Sequence, residues 1–157
     1  MSQPPEEGDL VARNPLAGRD FHILETIEAG IVLAGAEVKS VRARRVHLRD
    51  SFARIDEGRV VLYNLEISPY AQAGPSAPEP KRPRTLLLRR AQIERLQGQL
   101  ERGGTTLIPV RLYFTHGLAK IALGLAQGQR AFDKRDAIRR RESDREMARA
   151  LKSRVRK

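Results

Sequence analysis

The chain has 157 residues, with 30 Lys and Arg against 19 Asp and Glu, a net charge of +11 at neutral pH. Length alone predicts one domain with an appendage, and no run of about 18 apolar residues is available to span a bilayer. The chain has no cysteine, which excludes disulfides, thiolate metal sites and cysteine nucleophiles. A cationic excess of this size repels itself unless a polyanion is near. Phosphate backbone is the usual polyanion, and an anionic membrane surface is its rival.

Residues 1–19 hold two early prolines, two glycines and few large apolar groups, and they lack the apolar core of a signal peptide. They read as a flexible lead-in to a cytoplasmic protein. From Asp20 the pattern turns strand-like: Phe21, Ile23 and Ile27 alternate with His22, Leu24 and Thr26. Ala29-Gly30 interrupts this run, and Ile31-Val32-Leu33 resumes it. Gly35 to Arg45 reads as a short helix, with Val38 and Val41 three apart beside Lys39 and Arg42. Ser51–Ile55 and Arg59–Ile67 read as strands joined by a turn at Asp56-Glu57-Gly58. Ser68 to Pro83 holds five prolines and a glycine and reads as a loop without a ladder. It ends in the cationic Lys81-Arg82-Pro83-Arg84.

Leu86-Leu87-Leu88 leads into a second helix, whose Ile93, Leu96 and Leu100 share a face and which Gly103-Gly104 stops. Two strands follow, Thr105–Phe114 and Lys120–Ala126, with Thr115-His116-Gly117 between them. Residues 129–157 then carry twelve Lys or Arg against five Asp or Glu. Their few large apolar residues cannot build a core, so they read as a weakly amphipathic helix that orders only on a negatively charged surface. The fold class is mainly β with short helices. A small oligonucleotide-binding-type barrel is expected over residues 20–128, with a basic tail at 129–157.

Catalysis finds no positive support. His22, His47 and His116 are scattered, none in a metal-ligand spacing. No glycine run spells a phosphate-cradling loop, and no serine sits in a nucleophile elbow. No cofactor is expected. Nucleic-acid binding rests on the overall charge and on its clustering at 39–49, 81–90 and 129–157, with aromatic and histidine side chains among the cations. A solubilising face remains the alternative for any single run.

The stretch Glu28-Ala29-Gly30-Ile31-Val32-Leu33-Ala34-Gly35-Ala36-Glu37-Val38-Lys39-Ser40-Val41-Arg42 strongly resembles the small protein B family, the SsrA (tmRNA)-binding proteins, with its pattern E-A-G-I-x-L-x-G-T-E-V-K-S-[IL]-R. Asn64 to Tyr70 resembles N-x-x-I-x-P-Y, and Arg84 to Arg89 is similar to R-K-L-L-L. Thr105 to Phe114 is similar to T-L-I-P-L-x-L-Y-F, and Gly124 to Arg135 resembles G-K-K-x-x-D-K-R. The resemblance spans about residues 14 to 157. It implies a barrel that grips the tRNA-like domain of tmRNA and stands where an anticodon arm would be. It also implies a tail that becomes helical in the empty mRNA channel of a stalled ribosome, and a non-enzymatic monomeric adaptor in trans-translation, with no metal or membrane partner. On this resemblance Glu28, Glu37, Lys39, Ser40, Arg42, Leu87 and Lys120 belong to the tmRNA face. Phe132, Asp133, Lys134, Arg135, Arg139 and Arg140 belong to the segment that meets the decoding centre and mRNA channel. The sequence departs from the family pattern at Ala36, Ala43, His47, Ala77-Pro78 and Phe132; a phenylalanine at 132 keeps stacking and loses a polar handle.

Overall fold

The structure is a computed structural model that describes residues 9–70 and 77–155. Among the described residues nine strands and three helices occur in the order β1 (Asp9–Arg13), β2 (Phe21–Ile31), α1 (Gly35–Arg42), β3 (Val46–His47), β4 (Phe52–Asp56), β5 (Arg59–Tyr63), β6 (Glu66–Ile67), β7 (Arg84–Leu87), α2 (Arg90–Glu101), β8 (Thr106–Thr115), β9 (Leu118–Gly128) and α3 (Gln129–Val155). The main sheet is antiparallel and runs β1-β8-β4-β5-β7-β2-β9, with β9 returning to pair with β8. The ladder therefore closes through six strands, and β1 lies outside the ring on β8. Closure at β4–β8 is narrow, a single residue pair at Ala53 and Leu107. A ring of this kind leaves few free backbone groups along its edges, which is what a short, aromatic-poor β domain needs.

Local chemistry explains the two hairpins. Glu57 and Gly58 have φ of 50° and 76°, and His116 and Gly117 have φ of 51° and 77°. Two successive positive φ angles give the primed turn whose twist matches the flanking strands. The core is aliphatic, as the low aromatic content requires: Val60, Leu62 and Leu65, with Leu112 and Ile121, are fully buried. Two helices contribute to it, α1 through Val41 and α2 through Leu96, with Ile93 and Leu100 packed at its margin. An ion pair from Arg95 to Glu25 at 2.5 Å fastens α2 to β2.

Several expectations change. Within the segment read as a lead-in, Asp9 to Arg13 forms a strand that pairs with Phe114 to Arg111 of β8. Buried Asn14 then donates its side-chain amide to the Pro109 carbonyl at 2.9 Å. The upper half of β8 extends beyond β4 and needs another neighbour, which this segment supplies. Residues 1–8 lie outside the description. Ala29-Gly30 does not interrupt β2, which runs on to Ile31, because Leu87 of the next strand fills the space beside Gly30. The predicted strand 59–67 breaks at Asn64, whose φ is 61°, and its end pairs with Val46–His47 in a separate small sheet. Arg84–Leu87 is a strand that bridges β5 and β2 instead of a helix lead. Part of the predicted 68–83 loop falls on residues 71–76, outside the description. The tail is one helix of 27 residues.

Candidate nucleic-acid interface

Register assembles the first cluster. Gly30 of β2 pairs with Leu87 of β7 on one side and with Lys120 of β9 on the other. These three positions form a transverse row on the outer face of the ring. Glu28, two residues earlier on β2, shares that face, since Ile27, Ala29 and Ile31 point inward. The Lys120 ammonium lies 4.0 Å from the Glu28 carboxylate. Leu87 is 59% exposed and lies over Gly30, its Cβ 3.4 Å from where a side chain at 30 would begin. Across two strand spacings, about 10 Å, this face offers an exposed leucine for apolar contact, a carboxylate acceptor and a phosphate-seeking cation.

Tyr113 of β8 faces Lys120 in the ladder. Its hydroxyl is buried and makes no well-formed hydrogen bond among the described residues. Burial, and then the Glu28 carboxylate, push its phenol up, so the group stays protonated beneath the cluster.

Helix α1 divides its candidate residues between two jobs. Lys39 and Arg42 are exposed. The Lys39 ammonium stands 5.4 Å from the Tyr70 ring centroid, and the Arg42 guanidinium 4.7 Å from that of Phe114. Phe114 pairs with Ala119, next to Lys120, so Arg42 and Lys120 lie at the same end of the ring. Glu37 and Ser40 differ from these in burial: Glu37 is 4% exposed and Ser40 fully covered, so both side chains face inward in the free chain.

Glu37 instead organises the interior. One carboxylate oxygen accepts the Ala34 amide at 2.9 Å, closing the first turn of α1, and also accepts Nε and one terminal nitrogen of Arg82. The other accepts Arg84 Nε at 2.7 Å. Arg84, itself fully buried, spends its remaining donors on the carbonyls of Leu65 at 2.5 Å and Pro80 at 3.0 Å. Burial raises the Glu37 carboxyl, yet Arg82, the Ala34 amide and Arg84 outweigh it and hold the group below its ordinary value. Burial pushes Arg84 down against the pull of Glu37. Two cations of the run 81–90 are thus internal pillars, a use that a charge count does not reveal.

The tail residues form a second cluster at the root of α3. The Gln129 amide donates to the Asp20 carbonyl at 2.8 Å, and Asp133 accepts from the Gln129 side chain at 3.0 Å. Phe132 stacks on His22, with ring centroids 3.7 Å apart and planes 14° from parallel. The Arg135 guanidinium lies over Gly104, in space a side chain there would take. Arg139 lines a cleft of about 280 Å³ with Leu24, Gln127, Phe132 and Arg135. Arg140 pairs with Asp136 one turn away at 3.0 Å, and Lys134 is exposed. His22 lies in the strand that the alternation predicts, and its stack on a residue 110 positions away has no signal in the sequence. No described helix is long and apolar enough to cross a membrane.

The chain is similar to known proteins over nearly its whole length. A family model described as "SmpB protein" matches residues 11–153. The SsrA-binding protein of Streptococcus uberis is 50% identical over 147 residues, covering 94% of this chain and 95% of that one. That of Carboxydothermus hydrogenoformans is 51% identical over 145 residues, covering 92% and 97%. The Symbiobacterium thermophilum protein of the same name is 51% identical over 155 residues, covering 98% of each chain. A solved structure described as "tmRNA-SmpB: a journey to the center of the bacterial ribosome" superposes with a TM-score of 0.65 at 46% identity, over 75% of this chain and 83% of that one. With matches of this length on the residues that build both clusters, the chain belongs to the SmpB protein family.

Proposed function

We propose that this protein binds tmRNA through the outer face of its barrel and carries it to stalled ribosomes for trans-translation. It acts as a cytoplasmic, non-enzymatic, monomeric adaptor. The observation that carries the reading is the grouping of Glu28, Leu87 and Lys120 on one outer face, with Arg42 at the same end of the ring. A folded RNA is recognised by shape and backbone, and this row offers a cation for phosphate, a carboxylate for ribose or base donors, and an apolar contact for an unstacked base. The tail, with its excess of cations, follows the rRNA-lined path that an absent mRNA leaves open, and Phe132 through Arg135, with Arg139 and Arg140, meet that path first. An mRNA in place excludes the tail by occupying the same contacts.

The test is binding to tmRNA and to an ordinary tRNA across a salt series. Preference for tmRNA that survives rising salt is the expected result; equal affinities lost together would reduce the protein to a nonspecific cation. Lys120→Gln weakens tmRNA binding and lowers the slope of log affinity against log salt by about 0.7–0.9, the share of one phosphate contact. An unchanged slope would remove Lys120 from the phosphate contacts.

A further inference from the structure

Among the residues of α3 whose burial is described, only Gln129, Phe132 and Asp136 have partly covered side chains, and every residue from Ala137 to Ser153 is exposed. The spacing of three and then four places those three on one face of the first two turns. A helix held only by its first two turns needs at least two separated contacts to fix its direction. One is the backbone bond from Gln129 to Asp20, which anchors the start but permits rotation about itself. The second is the His22–Phe132 stack, which lies flat and close. His22 is itself held in the β2–β9 ladder opposite Gln127, so its ring is fixed to the frame of the barrel. The Arg135 contact over Gly104 is made by the end of a long flexible side chain and constrains much less.

We infer that His22 is a positioning residue for the tail, its imidazole being the barrel-side half of a stacked pair that sets the direction in which α3 leaves the barrel. The need is for a flat ring at position 22. The inference rests on the proposed function only where direction is linked to entry into the ribosomal channel.

The absence of native cysteine makes the test direct. Spin labels are placed in the full chain at Gln97→Cys and Arg149→Cys, both exposed, and the distance distribution between them is read by pulsed electron resonance on the free protein. A narrow distribution is expected for the parent and for His22→Phe, and a broad one for His22→Ala, with the thermal unfolding midpoint of all three alike. An unchanged width in His22→Ala, or failure of His22→Phe to restore it, overturns the inference. Peptide tagging on stalled ribosomes is measured alongside at saturating tmRNA. His22→Ala lowers its rate roughly tenfold through misplacement, and His22→Phe recovers it. Broadening without a loss of tagging leaves the stack merely structural and also overturns the positioning role. If the parent itself fails to tag, the proposed function falls, while the distance measurement still decides how α3 is held.

Discussion

Replacing Glu37 by alanine lowers the unfolding free energy by about 3–5 kcal/mol, the cost of removing one partner from a buried ion pair and leaving the other charge uncompensated. Arg84 is the stranded group: it is fully buried and keeps only the Leu65 and Pro80 carbonyls. The same change frees the Ala34 amide at the start of α1 and releases Arg82. Urea unfolding at neutral pH measures the loss, and a change of less than about 1 kcal/mol, the range of an exposed pair, would show the cluster to be dispensable. Acid gives a second reading. The folded-state carboxyl lies below its ordinary value of 4.5. Its contribution is therefore complete above the ordinary carboxylate range and drains away as pH falls through the folded-state value. Glu37→Gln should flatten that part of the stability–pH curve, because an amide has no proton to take up. An acid limb that coincides with the parent's would assign acid unfolding to other carboxylates. The loss also reaches the candidate interface, since Lys39 and Arg42 ride on the helix that Glu37 ties down.

Ending the chain after Gly128 separates two activities. The fully buried residues all lie before that point, so the barrel keeps its core, and its unfolding midpoint stays close to that of the full chain. Glu28, Leu87 and Lys120 remain in place on β2, β7 and β9, and tmRNA affinity is expected to fall by less than about tenfold, mostly through lost long-range attraction. Peptide tagging is expected to disappear, because the segment proposed to follow the empty channel is gone. A gel-shift titration and a tagging assay on the same preparation check both halves. If truncation abolished tmRNA binding, the division between a gripping barrel and a probing tail would be wrong.

The parts of this fold that sequence disclosed are those whose signal is local. Both hairpin turns could be read, because a glycine preceded by a polar residue between alternating strands has one cheap geometry. The apolar face of α2 could be read from Ile93, Leu96 and Leu100, and its end from two glycines. What stayed hidden depends on distant partners. Asp9–Arg13 has no strand signal of its own and becomes β1 because β8 outruns β4. Gly30 looks like a break until Leu87 is brought beside it.

The candidate site divides in the same way. Motif resemblance picked out Glu28, Leu87 and Lys120, and the ladder sets them side by side. It picked out Glu37 and Ser40 equally, yet both are buried, since a motif preserves a residue for packing as readily as for contact. Arg82 and Arg84 looked like part of a cationic RNA patch because charge along a sequence does not say which charges fold inward. Whether Phe132 and Arg135 meet the decoding centre is a property of a complex, and the proposed tagging measurements address it.

The slender attachment of α3 has a mechanical consequence. At 1.5 Å of rise per residue, a helix of 27 residues is a rod about 40 Å long, clamped over roughly its first 10 Å. A tilt of about 10° at the clamp sweeps the far end through roughly 7 Å, more than one helical turn. The aim of Met147 and Leu151 is therefore set about four to five helical turns away, by groups that never approach them. Small errors at the clamp are magnified at the tip, and stiffness near residue 132 counts for more than any side chain along the shaft.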